Sequence, residues 1–154
     1  MATGIKKKYE ALRKKHKLPS FEEIDSEFEI GKIEHDESLL REIRRKVADR
    51  IGEAGSIVEE ILQPDANLAG LYESRVFDEA EKKVLFEIFK KLMAANRMAM
   101  ELSIKNSEKE DAEFIKSIHA EWKALAPQLV KFIRQLRESW GKESEEAEKL
   151  RYMG

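Results

Sequence analysis

The chain contains no cysteine, so it has no disulfide framework, no thiolate nucleophile and no cysteine-ligated zinc or iron–sulfur centre. Seven glycines and three prolines in 154 residues supply few turns, which argues against a sandwich or barrel of many short strands. No uninterrupted apolar run approaches the roughly 20 residues that span a bilayer, and Met1-Ala2-Thr3-Gly4-Ile5 leads into lysines without an apolar signal core. The expectation is a cytoplasmic protein with no membrane insertion. Charge of one sign is also lacking. The 29 basic and 31 acidic residues leave a net −2, too little to steer the whole molecule onto nucleic acid or an anionic surface.

What is present is charge of both signs and helical periodicity. Charged residues make up 39% of the chain, far above the usual quarter, and a surplus of Lys, Arg and Glu follows the composition trend of thermophile proteins. The two signs are segregated at the start. Residues 1–18 carry Lys6, Lys7, Lys8, Arg13, Lys14, Lys15 and Lys17 against Glu10 alone, whereas residues 19–40 carry eight carboxylates against Lys32. The two segments could pair with each other or the first could act as a binding arm. Leu18-Pro19-Ser20 separates them, because the residue before proline is pushed out of helical geometry and Ser20 with Glu23 has capping-box spacing. A short helix with Phe21, Ile24 and Phe28 on one side follows.

Three longer helices carry the apolar repeat. The first begins near Asp36 and shows Leu40, Ile43, Val47, Ile51, Ala54, Val58 and Ile61 at three- and four-residue spacing. Gly52 and Gly55 interrupt it but leave the register intact, so one bent helix is expected, ended by Gln63-Pro64. Residues 65–77 hold Leu68, Leu71, Tyr72, Val76 and Phe77, enough to cover one end of a bundle. Asp78 with Glu81 opens the second helix, whose seam is Leu85, Ile88, Leu92, Ala95, Ala99 and Leu102. Beside it runs a second row, Phe86, Phe89, Met93, Asn96 and Met100. Ser107 with Glu110 opens the third, which repeats Ile115, Ile118, Trp122, Leu125, Leu129, Phe132, Leu136 and Trp140, with Pro127 inside it and Gly141 as the expected cap.

The expected fold is therefore all-α: a helical bundle built on a long antiparallel helical hairpin (about 78–105 and 107–140), a bent long helix (about 36–62) and short peripheral helices. A turn near Asn106 would set Ala99 against Ala112, Asn96 against Ile115 and Phe89 against Trp122. The chain divides into a basic N-terminal helix or arm (1–18), a bundle (19–141) and a charged tail (142–154).

Catalytic chemistry is hard to find. The histidines are His16, His35 and His119, and the residues three before them are Arg13, Lys32 and Lys116, so the Glu-x-x-His pairs of a di-iron bundle are absent. Phosphate-cradling glycine loops, paired zinc histidines and the Gly-x-Ser-x-Gly nucleophile turn are absent too. No catalytic residue, metal site or cofactor is assigned, and a non-enzymatic protein is expected. His119 reads either as a proton donor facing Phe89 and Leu92 or, more simply, as a hydrogen-bonded packing residue. Arg41, Arg44, Arg45, Lys46 and Arg50 form a basic run, but Glu37, Glu42 and Asp49 stand four residues from Arg41, Lys46 and Arg45, so the run reads as a solvated face.

The functional expectation is a helical protein-interaction or scaffold module that binds itself, as a homodimer, or another protein. Its candidate contacts are Phe86, Phe89, Met93, Met98 and Met100, because two apolar rows on one helix leave surface that a small bundle does not cover. Core filling is the readier reading of Met93 and Met100, whereas Met98 falls off both rows and is the residue most expected to be exposed. The alternative is a nucleic-acid accessory protein that contacts phosphates through Lys6, Lys7, Lys8, Arg13, Lys14, Lys15 and Lys17.

Overall fold

A computed structural model describes residues 2–142, and the tail expected at 142–154 lies, beyond Lys142, outside the described residues. Among the described residues there are six α-helices and no strand: α1 Ala2–His16, α2 Phe21–Phe28, α3 Leu39–Leu62, α4 Leu68–Ser74, α5 Glu79–Lys105 and α6 Glu108–Gly141, with a single 3₁₀ turn at Ile30–Lys32. The all-α bundle expected from the periodicity is the fold observed. Among the described residues no helix is long and apolar enough to cross a membrane.

Local chemistry sets most of the helix starts. Ser20 Oγ accepts from the Glu23 amide at 3.2 Å, Ser107 Oγ accepts from the Glu110 amide at 3.3 Å, and Asp78 and Glu81 cap each other's backbone reciprocally. Between α5 and α6 the chain reverses in two residues, with Asn106 in the left-handed region at φ 55° and its amide closing on the Leu102 carbonyl. Helix α3 is one continuous helix through both glycines, but it starts at Leu39 rather than Asp36, whose carboxylate is instead held 3.0 Å from Lys8 Nζ.

Helix α3 is the centre of the bundle. It packs along both long neighbours, and α5 and α6 touch each other less than either touches α3. Its direction follows from three contacts. Arg44 near its start reaches Leu102 and Asp111, Gly55 near its middle lies under Met93, and Ala54 and Ile57 share a groove with Trp122, Leu129 and Ile133. Helix α3 thus runs antiparallel to α5 and parallel to α6. Trp122, expected across from Phe89, has other partners: its ring lies 6.0 Å from that of Phe28, and its Nε1 donates to Glu27 at 2.9 Å. Helix α2 thus docks on the same side of α6 as this tryptophan, a neighbour that a repeat read from two helices alone does not supply.

One end of the bundle is closed by aromatic pairs. Phe77 meets Phe132 edge-on at 5.4 Å, and Tyr72 packs on Trp140 at 4.2 Å while its hydroxyl donates to the Ser139 carbonyl. Leu68 and Leu71, counted among the covering residues of that end, turn outward and are exposed.

Candidate interaction surfaces

The second row of α5 and the basic arm α1 were the two candidate surfaces, and the fold treats them oppositely. Along α5, Leu85, Ile88, Leu92, Ala99 and Leu102 are buried against the bundle. At about 100° per residue, Phe86, Phe89, Met93, Met100 and Ile104 fall within an arc of about 60° that points away from α6. Phe86 is 51% exposed, Met100 55% and Ile104 84%, while Phe89 and Met93 are half-buried. Phe89 and Met93 sit at the edge where α5 meets α3. The Met93 methyl lies 2.8 Å from where a β-carbon on Gly55 would stand, so the glycine is what admits the thioether between the helices.

Polar groups edge this stripe without covering it. Lys90 Nζ stands 5.8 Å from the Phe86 ring centre, within cation–π range, and Arg97 donates to Asn96 Oδ1 at 2.6 Å with Met100 Sδ at 3.7 Å. Glu87 pairs with Lys90 at 3.5 Å and Glu101 with Lys105 at 3.8 Å along the same flank. Glu110 holds Lys105 at 3.2 Å, and that contact raises the lysine pKa above its ordinary value.

Met98 is exposed at 48%, as expected, but it is not part of the stripe. It lies on the α6 side of α5, over a shallow groove with Leu102, Phe114 and Ser117. A further apolar groove of about 250 Å³ was missed by sequence reasoning: Ile57 of α3 with Val130 and Ile133 of α6, floored by Trp122, Ala126 and Leu129. Those three exposed side chains each neighbour a seam residue in sequence, and the helical repeat alone gave no reason to single them out.

The basic arm is docked. Ile5, Tyr9 and Leu18 are buried in the common core, and the Tyr9 hydroxyl donates to the Pro19 carbonyl at 2.6 Å. Burial pushes the Tyr9 phenol well above its ordinary pKa. Of the candidate phosphate ligands, Lys6 reaches Glu22 at 2.7 Å, Lys8 reaches Asp36 at 3.0 Å, Lys15 reaches Glu108 at 2.9 Å and Arg13 reaches Glu10 at 3.5 Å. Lys15, joined by His16 at 3.0 Å, holds the Glu108 carboxyl below its usual range. Lys7, Lys14 and Lys17 have no ion-pair partner among the described residues.

Two further sites correct the reading of the sequence. Arg44, placed on a solvated face, is only 2% exposed: its Nη1 donates to Asp111 Oδ1 at 2.7 Å and to the Leu102 carbonyl at 3.2 Å. It stands one residue past the seam position Ile43, close enough to the core-facing side of α3 for its guanidinium to enter the α5–α6 corner. Arg41 closes the rim of that corner by donating to Asn106 Oδ1 at 2.6 Å. His119 is 4% exposed but is not the hydrogen-bonded packing residue expected: among the described residues its Nε2 has no hydrogen-bond partner, and the closest carboxylate oxygen, on Glu23 of α2, is 3.9 Å away. Desolvation, helped by Lys123, lowers its pKa against the opposing pull of Glu23 and Glu27.

Among the described residues no group of three or more His, Asp or Glu side chains is arranged to hold a metal ion. No family model, characterised protein or solved structure matches the chain.

Proposed function

We propose that the chain is a non-enzymatic helical interaction module whose contact surface is the outer face of α5. The observation that supports this reading is the stripe Phe86, Met100 and Ile104, which stays open to solvent on a helix whose seam, Leu85, Ile88, Leu92, Ala99 and Leu102, is buried in the bundle. Large apolar side chains aligned over five turns are an exposed patch rather than scattered surface residues, and aligned patches mark contact sites. Phe89 and Met93 continue the patch inward and tie it to α3. Met98 lies outside it and belongs to the α5–α6 groove.

Phosphate contact through the basic arm has less support. Four of its seven candidate side chains are engaged by carboxylates of the same chain, and the arm's apolar side is held in the core.

Photo-crosslinking in intact cells tests the reading, with a photoreactive residue at position 86 or 100 and a control at the exposed Lys131 of α6. Protein adducts from both α5 positions and none from the control are the expected result. Absence of adducts from 86 and 100 would overturn it.

A further inference from the structure

We infer that the occupant of the α5 face is a second copy of this chain, paired antiparallel about a twofold axis near residue 95. This inference rests on α5 as the contact surface and adds the partner and its register.

The charges beside the stripe carry it. Lys83, Glu87, Lys90, Glu101 and Lys105 fall within one arc of about 60° adjoining the apolar stripe, and all five side chains are exposed. Along α5 the signs alternate: base, acid and base near its start, acid and base near its end, with Lys83 falling opposite the end of the other copy's α5 in the antiparallel register. In an antiparallel helix pair a flank faces the same flank of the other copy. Lys90 then meets the partner's Glu101, and Glu87 meets the partner's Lys105, each twice by symmetry. The same register sets Phe86 against the partner's Ile104, Phe89 against the partner's Met100 and Arg97 against the partner's Ala94, which is small enough to leave room for the guanidinium.

A parallel pair lacks this match. It would set the charged flank against the other side of the stripe, where α5 presents Asn96 and Ser103 and carries charge only in its first turn, at Glu81 and Lys82. Within one chain, Lys90 and Glu101 are eleven residues apart on one helix and cannot meet, so any coupling between them reports the second copy.

Sedimentation velocity of the full chain, from low-micromolar to near-millimolar concentration, tests the pairing. The mass is expected to rise from the 17.9 kDa monomer toward twice that value. Lys90→Glu and Glu101→Lys each turn two exposed attractions into repulsions and should each weaken the dimer by about tenfold. The double variant Lys90→Glu with Glu101→Lys restores both pairs and should recover most of the loss, whereas a helix that merely dislikes the changes would be weakened twice. A double variant weaker than either single one would overturn the antiparallel register. A chain that stays monomeric throughout would overturn the second copy. If that monomer still gives adducts of other masses from positions 86 and 100, the interaction reading stands without self-pairing. No adducts and no dimer would remove both.

Discussion

The basic arm α1 and the apolar outer row of α5 both look like binding surfaces in the sequence, yet the fold absorbs one and leaves the other open. Surplus charge is readily satisfied by the chain itself: residues 19–40 supply Glu22 and Asp36, and α6 supplies Glu108, within reach of Lys6, Lys8 and Lys15. An apolar stripe is satisfied only by another surface of matching length. Helix α6 lies on the far side of α5, and α3 covers only the Phe89 and Met93 edge of the stripe. A run of like charge is therefore weak evidence of a ligand when its complement follows in sequence, and an uncovered apolar row on a well-packed helix is stronger evidence.

The most severe test of self-satisfied charge is the buried pair. Asp111→Ala leaves the Arg44 guanidinium uncompensated in the α5–α6 corner and should cost about 3–5 kcal/mol in urea denaturation. Replacing both partners by apolar residues of similar size, Arg44→Met with Asp111→Leu, should recover most of that loss. An Asp111→Ala variant as stable as the parent would show that the charge finds water and that the corner is not dry. Next in size is the anchor of the arm. Tyr9→Ala empties a fully buried site and should cost about 3 kcal/mol, whereas Tyr9→Phe removes only the bond to Pro19 and should cost about 1 kcal/mol. An arm that merely rests on the bundle would lose far less.

Acidity probes the contact between α2 and α6 with a smaller effect. Burial depresses the folded-state pKa of His119 below its unfolded value near 6.5, so the unfolded chain binds the proton more readily. Stability from this group is complete above about pH 6.5 and falls as the pH drops from there toward the depressed folded value. His119→Gln should flatten that part of a pH-dependent denaturation series, and an unchanged slope would assign the loss to other groups. The smallest effect is expected on the open side: Met100→Glu should leave stability within about 0.5 kcal/mol of the parent while abolishing the concentration-dependent rise in mass. A large loss of stability would mean that Met100 is covered within the monomer.

Legibility in the sequence followed the range of the interaction. The starts of α2, α5 and α6 were visible because Ser20, Asp78 and Ser107 act on amides three residues away. The seams were visible because every bundle helix must bury one face. The exposure of Phe86 was legible for the same reason, as the excess over one face, whereas Met100, more readily read as core filling, is 55% exposed. Arg44 was misplaced, and the surroundings of Trp122 and His119 were not legible, because Asp111, Glu27 and Glu23, the carboxylates these three residues face, lie 67, 95 and 96 positions away in the chain and no local pattern brings them together. Met98 was correctly expected to be exposed, but its separation from Met100 around α5 mattered only once α3 and α6 had fixed which side was inside.

That separation makes the methionines natural reporters. The chain has five, of which Met93, Met98 and Met100 lie on α5. Methyl-labelled methionine spectra of the full chain, recorded across the concentration range of the sedimentation series, read the two sides of the helix at once. Pairing through the outer face of α5 predicts that the Met100 and Met93 signals shift and broaden together as concentration rises while Met98 holds its position. A shift confined to Met98, or none at any concentration, would contradict it.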